Sequence, residues 1–369
     1  MKVLHIINAL AVGGAERLLV DSLPIMKSMG VDVSVVLLVS SGSNFEEQLR
    51  DAGITVEALN LRLGEYDPRM PFWLRRYVRR ADVVHVHLFP SQYWAAMAHI
   101  ACRKSVLITT EHSTSNTRAR HWLTSVIDHW IYGMYDGIIC ISEATANFMR
   151  RRAPRSVQIA TIENGVVLPD VGKVAKDCGL KRADVVSGVA DSDFLMLQVA
   201  RFSDQKNQDC VIRALPLLPA NVHVAFAGYG VRLDACRDLA ERLGVANRAH
   251  FLGMRDDIAR LWSVADIGVM SSQWEGFGLA AVEGMAYAKP VIASAVPGLA
   301  DVVKHESLLF APDDEHALAD KAMKLYSNQA HRKDLGEWCR QRAQMFDIRT
   351  MVGKYIEFYK AQLVRKINK

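Results

Sequence analysis

Residues 271–294 read SSQWEGFGLAAVEGMAYAKPVIAS. Two carboxylates, Glu275 and Glu283, stand eight positions apart. Between them a Gly-Phe-Gly turn at 276–278 leads into an apolar helical stretch that begins at Leu279. The run DIGVM (266–270) precedes it and PVIAS (290–294) follows; both read as buried strands. Strand, glycine turn, helix, strand is how an α/β fold turns free backbone N–H groups toward a phosphate. An acid before the turn and an acid inside the helix can then hydrogen-bond sugar hydroxyls on either side of that phosphate. Glutamates at this spacing also arise by chance, and a helix N-terminus attracts Glu through its dipole. The rest of the chain therefore has to agree.

Working outward, short apolar β-branched runs alternate with longer helical patterns. Strands are expected at 3–7, 31–39, 54–59, 82–88, 105–110, 136–142 and 157–162. The pattern restarts with strands at 194–201, 222–228, 249–253, 266–270, 290–294 and 308–310. Such alternation predicts parallel sheets joined by right-handed crossovers. A length of 369 residues exceeds what one core usually supports. The reading is therefore α/β, with two Rossmann-like doubly wound domains facing a cleft: 1–168, and 169–350 beyond a polar boundary stretch from about Asn164 to Asp193. Ligands of such sheets sit beyond the carboxyl ends of strands. A final helix is expected over 351–367, long enough to reach back to the first domain.

Composition narrows the class. Half of the residues are hydrophobic and 23% are charged, as in ordinary globular proteins. A net charge of +5 is too small to argue for nucleic acid. Six cysteines occur singly, without C-x-x-C or metal-ligand spacing, and read as reduced thiols. MKVLHIINALAVGGA faintly resembles a signal peptide, but His5 and Asn8 interrupt its apolar run. No stretch reaches the ~18–20 apolar residues of a transmembrane helix.

Further motifs sit where strands should end. Gly13 and Gly14 open the first helix, so backbone can approach a ligand closely there. Arg201 ends the first strand of the second half and Lys206 follows five residues on; two such cations can neutralise a diphosphate. His112 lies just past the fifth strand, in TEHSTSN (110–116). Ser142 is placed to cap a helix. FAGYG (226–230) and HFLGM (250–254) end two strands of the second domain. Asp191-Ser192-Asp193 looks like a D-x-D metal motif but precedes a strand instead of following one. It reads as a polar linker, and no metal and no cofactor are expected.

Together E-G-F-G-L…E-G-M-A…P-V-I-A-S, the Gly-Gly loop, Arg201…Lys206-Asn207, the Glu-His-Ser segment and ENG at 163–165 resemble, in order, the retaining glycosyltransferases of the GT-B fold, family 4. The resemblance spans nearly the whole chain and extends to the bacterial polysaccharide branch. It implies transfer of a sugar from a nucleotide-sugar donor, with a UDP-sugar the type expected. It assigns Arg201, Lys206 and the backbone at Phe277, Gly278 and Leu279 to the diphosphate, Glu275 to the donor sugar and Glu283 to the ribose. His112 is implied to contact the transferred sugar, Gly13 and Gly14 the phosphate or acceptor, and Met254 and Arg255 the base. The last helix is implied to pack on the first domain. Ala288 departs from the usual glycine, a difference expected to matter little.

RMPFWLRRYVRR (69–80) differs in kind. On a helix, Trp73, Leu74, Tyr77 and Val78 should form one face and Arg75, Arg76, Arg79 and Arg80 the other, a pattern suited to an anionic membrane surface. Packing of the apolar face on the protein's own sheet explains the same pattern. Arg150, Arg151, Arg152 and Arg155 add a second basic cluster. The expected setting is the cytoplasm, peripheral on the inner face of the membrane, with a glycan or polyprenyl-linked acceptor. The rivals are a sugar-nucleotide 2-epimerase of the same fold, a catalytically dead binding subunit, and a dinucleotide oxidoreductase, for which VGGAER lacks the G-x-G-x-x-G spacing.

Overall fold

The computed structural model of the chain describes residues 1–11, 13–112, 122–169 and 180–368. The chain forms two compact units. Unit 1 comprises Met1–Val166 and Ile348–Lys369, and unit 2 comprises Val167–Asp347.

Unit 1 holds the strands β1 (Lys2–Ile7), β2 (Asp32–Leu37), β3 (Thr55–Ala58), β4 (Val83–His87), β5 (Val106–Glu111), β6 (Gly137–Cys140) and β7 (Gln158–Thr161). They form one sheet in the order β3-β2-β1-β4-β5-β6-β7, with every pairing parallel. The helices between them are α1 (Gly14–Ser28), α2 (Asn44–Asp51), α3 (Met70–Val78), α4 (Ser91–His99), α5 (Trp122–Tyr132) and α6 (Glu143–Arg150). β4 and β5 are buried from end to end and β1 from Val3 onward, as central strands of a parallel sheet covered on both faces are. Their sequences are rich in Val, Leu and Ile but also bury His5, His85, His87, Thr109, Thr110 and Glu111. Met70, Leu74 and Val78 of α3, Ala95 and Ala96 of α4, Tyr132 of α5 and Met149 of α6 pack into one cluster. That cluster also takes Leu4, Ile6, Val84, Val86, Leu107 and Ile138, so these four helices share one face of the sheet. Ser142 caps α6, its Oγ accepting from the Thr145 N–H at 3.2 Å.

Unit 2 repeats the plan with β8 (Phe194–Val199), β9 (Val222–Ala227), β10 (Ala249–Gly253), β11 (Ile267–Met270), β12 (Val291–Ser294) and β13 (Leu309–Phe310). The order is β10-β9-β8-β11-β12-β13, again all parallel. Its helices are α7 (Arg182–Val185), α8 (Gln208–Ala214), α9 (Leu233–Arg242), α10 (Ile258–Val264), α11 (Leu279–Ala286), α12 (Leu299–Val303), α13 (Glu315–Ser327) and α14 (Gln329–Ala343). The chain then returns to unit 1 as α15 (Ile348–Ile367). Tyr359 of α15 reaches His85 Nδ1 at 2.6 Å, and Lys366 Nζ donates to the Ser105 carbonyl at 2.6 Å and to Asp136 Oδ2 at 2.8 Å. Both sheets are thus of the doubly wound, Rossmann-like kind. In each the strand order reverses beside its first strand, between β1 and β4 and between β8 and β11. That reversal opens a crevice at the carboxyl ends of the strands.

Candidate active site

In unit 2 the reversal point brings together residues far apart in sequence. Lys206, in the loop after β8, forms an ion pair with Glu275, in the loop after β11. Ser272 Oγ also donates to Glu275, at 3.3 Å. The loops are stitched together: Gln273 N donates to the Gln205 carbonyl at 2.7 Å, and the Gln205 side chain returns a bond through Nε2 to the Trp274 carbonyl at 3.0 Å. Ser271 Oγ stands 2.9 Å and 2.8 Å from the carbonyls of Lys206 and Asn207, and Gln198 Nε2 donates to Ser271 Oγ at 3.1 Å. Buried polar side chains under both loops therefore hold the Lys206 backbone in place. Arg201, just past β8, is exposed and enters none of the ion pairs found among the described residues.

The glycine turn behaves as its sequence suggests. Gly278 is the residue before α11 and sits at φ 102°, where a side chain is strained; a Cβ there would also meet Leu299 Cδ1 at 2.7 Å. Phe277 is buried edge-on against Phe346, with ring centroids 5.3 Å apart, which anchors the turn. The first turn of α11 leaves backbone N–H groups without helical partners. Glu283 is half-buried within α11, one turn after Leu279.

The two base candidates differ. Met254, beyond β10, is exposed. Arg255 instead grips its own neighbour: Nε and Nη2 donate to the two oxygens of Asp257, each at 2.6 Å, and a third contact reaches the Val185 carbonyl. That fork holds the guanidinium pKa up and the Asp257 carboxyl down.

In unit 1, Gly13 precedes α1 in an extended conformation, and the Glu16 side chain occupies the space where a Cβ at Gly13 would stand. His112 follows β5 directly. Its Nε2 is shielded from solvent and has no partner among the described residues, and burial lowers its pKa to about 4. Residues 113–116 of its motif lie outside the described residues. Its ring centroid stands 5.8 Å from that of His87, the last residue of β4. His87 joins His5 and His85 in a buried imidazole cluster. His-Val-His at 85–87, on an expected strand, is the sequence signal for this cluster.

Two expectations about basic surface need correction. On α3, Leu74 and Val78 are buried with Met70, whereas Trp73 is 38% exposed and Phe72 is 73% exposed. Helical periodicity puts the core stripe at 70, 74 and 78, so Trp73 lies off it. Tyr77 is half-buried and donates to Glu57 Oε2 at 2.6 Å, and Arg76 lies over the Tyr77 and Trp73 rings at 4.6 Å and 5.5 Å. Arg75 is half-buried; Arg79 and Arg80 are exposed. In the second cluster Arg150 pairs with Glu143 at 2.6 Å, and Arg152 lies over Phe148 with Asp128 3.8 Å away. Only Arg151 and Arg155 of that cluster are exposed and outside an ion pair among the described residues.

The chain matches known proteins along both units. The family model "Glycosyltransferase Family 4" matches residues 12–168, and "Glycosyl transferases group 1" matches residues 181–342. EpsD of Bacillus subtilis is 27% identical over 299 residues, covering 76% of this chain and 77% of that protein. The N-acetyl-alpha-D-glucosaminyl L-malate synthase of Bacillus anthracis is 24% identical over 292 residues, covering 75% and 74%. Among solved structures, Anabaena Alr3699/HepE in complex with UDP-glucose superposes with a TM-score of 0.85 at 23% identity, over 98% of this chain and all of that one.

Proposed function

Starting from a chain that is a glycosyltransferase of the GT-B fold, we propose that it transfers a sugar from a UDP-sugar to a glycan or lipid-linked glycan, with retention of anomeric configuration and without a metal at the diphosphate. The observation that carries this reading is the meeting of Lys206 and Glu275 at the reversal point of the unit 2 sheet, beside a helix that opens on Gly278. The solved neighbour bound to UDP-glucose makes a uridine nucleotide the donor to test first.

Arg201 and Lys206 supply two positive charges where a departing diphosphate gains negative charge, the task a divalent ion performs elsewhere. The N–H groups at the start of α11 add partial positive charge from the helix dipole. Glu275 holds Lys206 in position and accepts from donor-sugar hydroxyls; Glu283 takes the ribose. Lacking an assigned nucleophile, the reaction runs by front-face attack assisted by the leaving phosphate. In unit 1 His112 is neutral at pH 7, because burial holds its pKa at about 4, so it acts as a hydrogen-bond partner and not as a cation. Met254 is retained for the base, while Arg255 serves mainly to order its loop through Asp257.

No helix among the described residues is long and apolar enough to cross a membrane. The acceptor is proposed to be presented at the inner face of an anionic membrane, on the strength of exposed aromatic and arginine side chains on the α3–α6 layer.

A kinetic panel tests the donor site. Arg201→Ala and Lys206→Ala should each lower turnover on the order of 10²-fold, the scale of a lost transition-state electrostatic contact. Glu275→Gln should lower kcat, whereas Glu283→Gln should mainly raise KM for the donor and weaken UDP binding, as loss of uniform binding does. Turnover should not depend on added Mg2+ or Mn2+. Wild-type kinetics in all four variants, or activity that requires Mn2+, would sink the proposal. Nuclear magnetic resonance of the product reads the anomeric configuration.

A further inference from the structure

His85 and His87 stand two apart on β4, so both imidazoles leave the same face of the sheet. His5 is the register partner of His85 on the adjacent β1. The three rings are fully buried, with centroids 4.2–5.3 Å apart. Each can offer one ring nitrogen such that all three lie within 4.8 Å of one another. His5 Nδ1 and His87 Nε2 already approach to 3.1 Å. The remaining nitrogens of that pair, His5 Nε2 and His87 Nδ1, are buried without a hydrogen-bond partner. Unpartnered buried imidazole nitrogens cost stability and call for a ligand, an ion or a water.

We propose that His5, His85 and His87 form a three-histidine site for a first-row transition metal, with Zn2+ the best fit. Two histidines from one strand and a third from its neighbour make a nitrogen-only set of the kind Zn2+ accepts. Tetrahedral Zn–N bonds of about 2.05 Å hold ligand nitrogens about 3.3 Å apart, so metal binding would draw the three ligating nitrogens, now within 4.8 Å of one another, closer together. A metal-bound histidine keeps a hydrogen bond on its other nitrogen. His85 is built for this: its Nδ1 meets the Tyr359 hydroxyl at 2.6 Å and its Nε2 meets Thr110 Oγ1 at 2.7 Å, and binding retains one while surrendering the other. Neutral imidazole is the form that ligates metal.

The metal would clip β1 to β4 on the sheet face that carries Tyr359 of α15. Its ligands belong to unit 1, whereas Arg201 and Lys206 belong to unit 2.

The test uses the full-length chain without a polyhistidine tag, stripped by a chelator and reloaded with Zn2+ or Co2+. Elemental analysis after gel filtration should find one metal per chain. The Zn2+ form should have a higher Tm than the stripped form, and X-ray absorption should show at least three imidazole ligands. His87→Asn and His5→Asn should each weaken binding at least tenfold, while His316→Asn, at an exposed site in α13, should bind like the wild type. Should either cluster variant fail to fold, the wild-type metal count and its X-ray absorption still decide. Less than a tenth of an equivalent in the wild type, fewer than three imidazole ligands, or undiminished binding by a folded His87→Asn would overturn the site.

Discussion

Ala288 shows how much a single residue can conceal. It lies just past α11 at φ 56°. Its N–H donates to the Met285 carbonyl at 3.0 Å and that of Lys289 to the Gly284 carbonyl at 3.1 Å. This is the hydrogen-bond pair of a Schellman cap, whose left-handed position usually takes glycine. An alanine Cβ in that conformation crowds its own backbone by roughly 1–2 kcal/mol, so the residue that reads in sequence as a harmless departure is a strained one. Part of the gain from glycine is lost again to unfolded-chain entropy. Ala288→Gly should therefore stabilise the protein by about 0.5–1 kcal/mol, visible as a rise in Tm and in the urea midpoint. An unchanged or lowered midpoint would mean the methyl group makes packing contacts worth more than the strain. At the same scale, Lys206 and Glu275 were legible as a cation and an acid. Their ion pair was not, because it joins loops 69 residues apart.

At the scale of the element, the helices α3 and α5 expose what amphipathic helices usually bury. On α3, Leu74 and Val78 face the core, while Phe72 and Trp73 face solvent beside the exposed Arg79 and Arg80. On α5, Val126, Ile127 and Trp130 are exposed at 52%, 49% and 71%, and its single acid, Asp128, is buried. His129 Nδ1 meets the Arg152 carbonyl at 2.8 Å, which sets the exposed Arg151 and Arg155 beside this helix. Both helices belong to the same layer of unit 1. Aromatic side chains flanked by arginines suit an anionic bilayer, where each basic residue contributes about 1 kcal/mol of salt-sensitive attraction. The protein should pellet with anionic vesicles at low salt and be released at high salt. Phe72→Gln with Trp130→Gln, or Arg79→Gln with Arg80→Gln, should weaken pelleting while leaving donor hydrolysis intact. Equal binding to neutral and anionic vesicles would remove the electrostatic part of this reading.

At the scale of the whole molecule, the last helix completes a unit that begins 347 residues earlier. α15 buries Ile348, Met351, Val352, Tyr355, Ile356 and Tyr359 in unit 1. Fully burying one such side chain is worth about 1.5–3 kcal/mol, so their sum rivals the ~5–15 kcal/mol that keeps a domain folded. A chain ending at Asp347 should lose the cooperative unfolding transition of unit 1. Hydrogen exchange should become fast across 1–166 while the strands of unit 2, from β8 to β13, stay protected. Full protection of β1, β4 and β5 in the truncated chain would show that α15 is dispensable to that core.

The fold class was readable from sequence because central strands of a parallel sheet are buried on both faces and so appear as short β-branched, apolar-rich runs between helical patterns. The glycine turn before α11 was readable for a related reason: a residue at φ 102° strains any side chain, and glycine bears it without cost. Residue types at strand ends likewise followed from local pattern. Partnership did not. His5 meets His85 only because β1 lies beside β4 in a sheet whose strand order is not the chain order, and Lys206 meets Glu275 because β8 lies beside β11. Neighbouring arginines of one run also parted company, Arg152 drawn beside Asp128 and Arg151 left in solvent. Sequence carries the period and chemistry of each element. Which distant elements touch, and hence which charges and imidazoles share a site, is set by packing energies summed over the whole sheet.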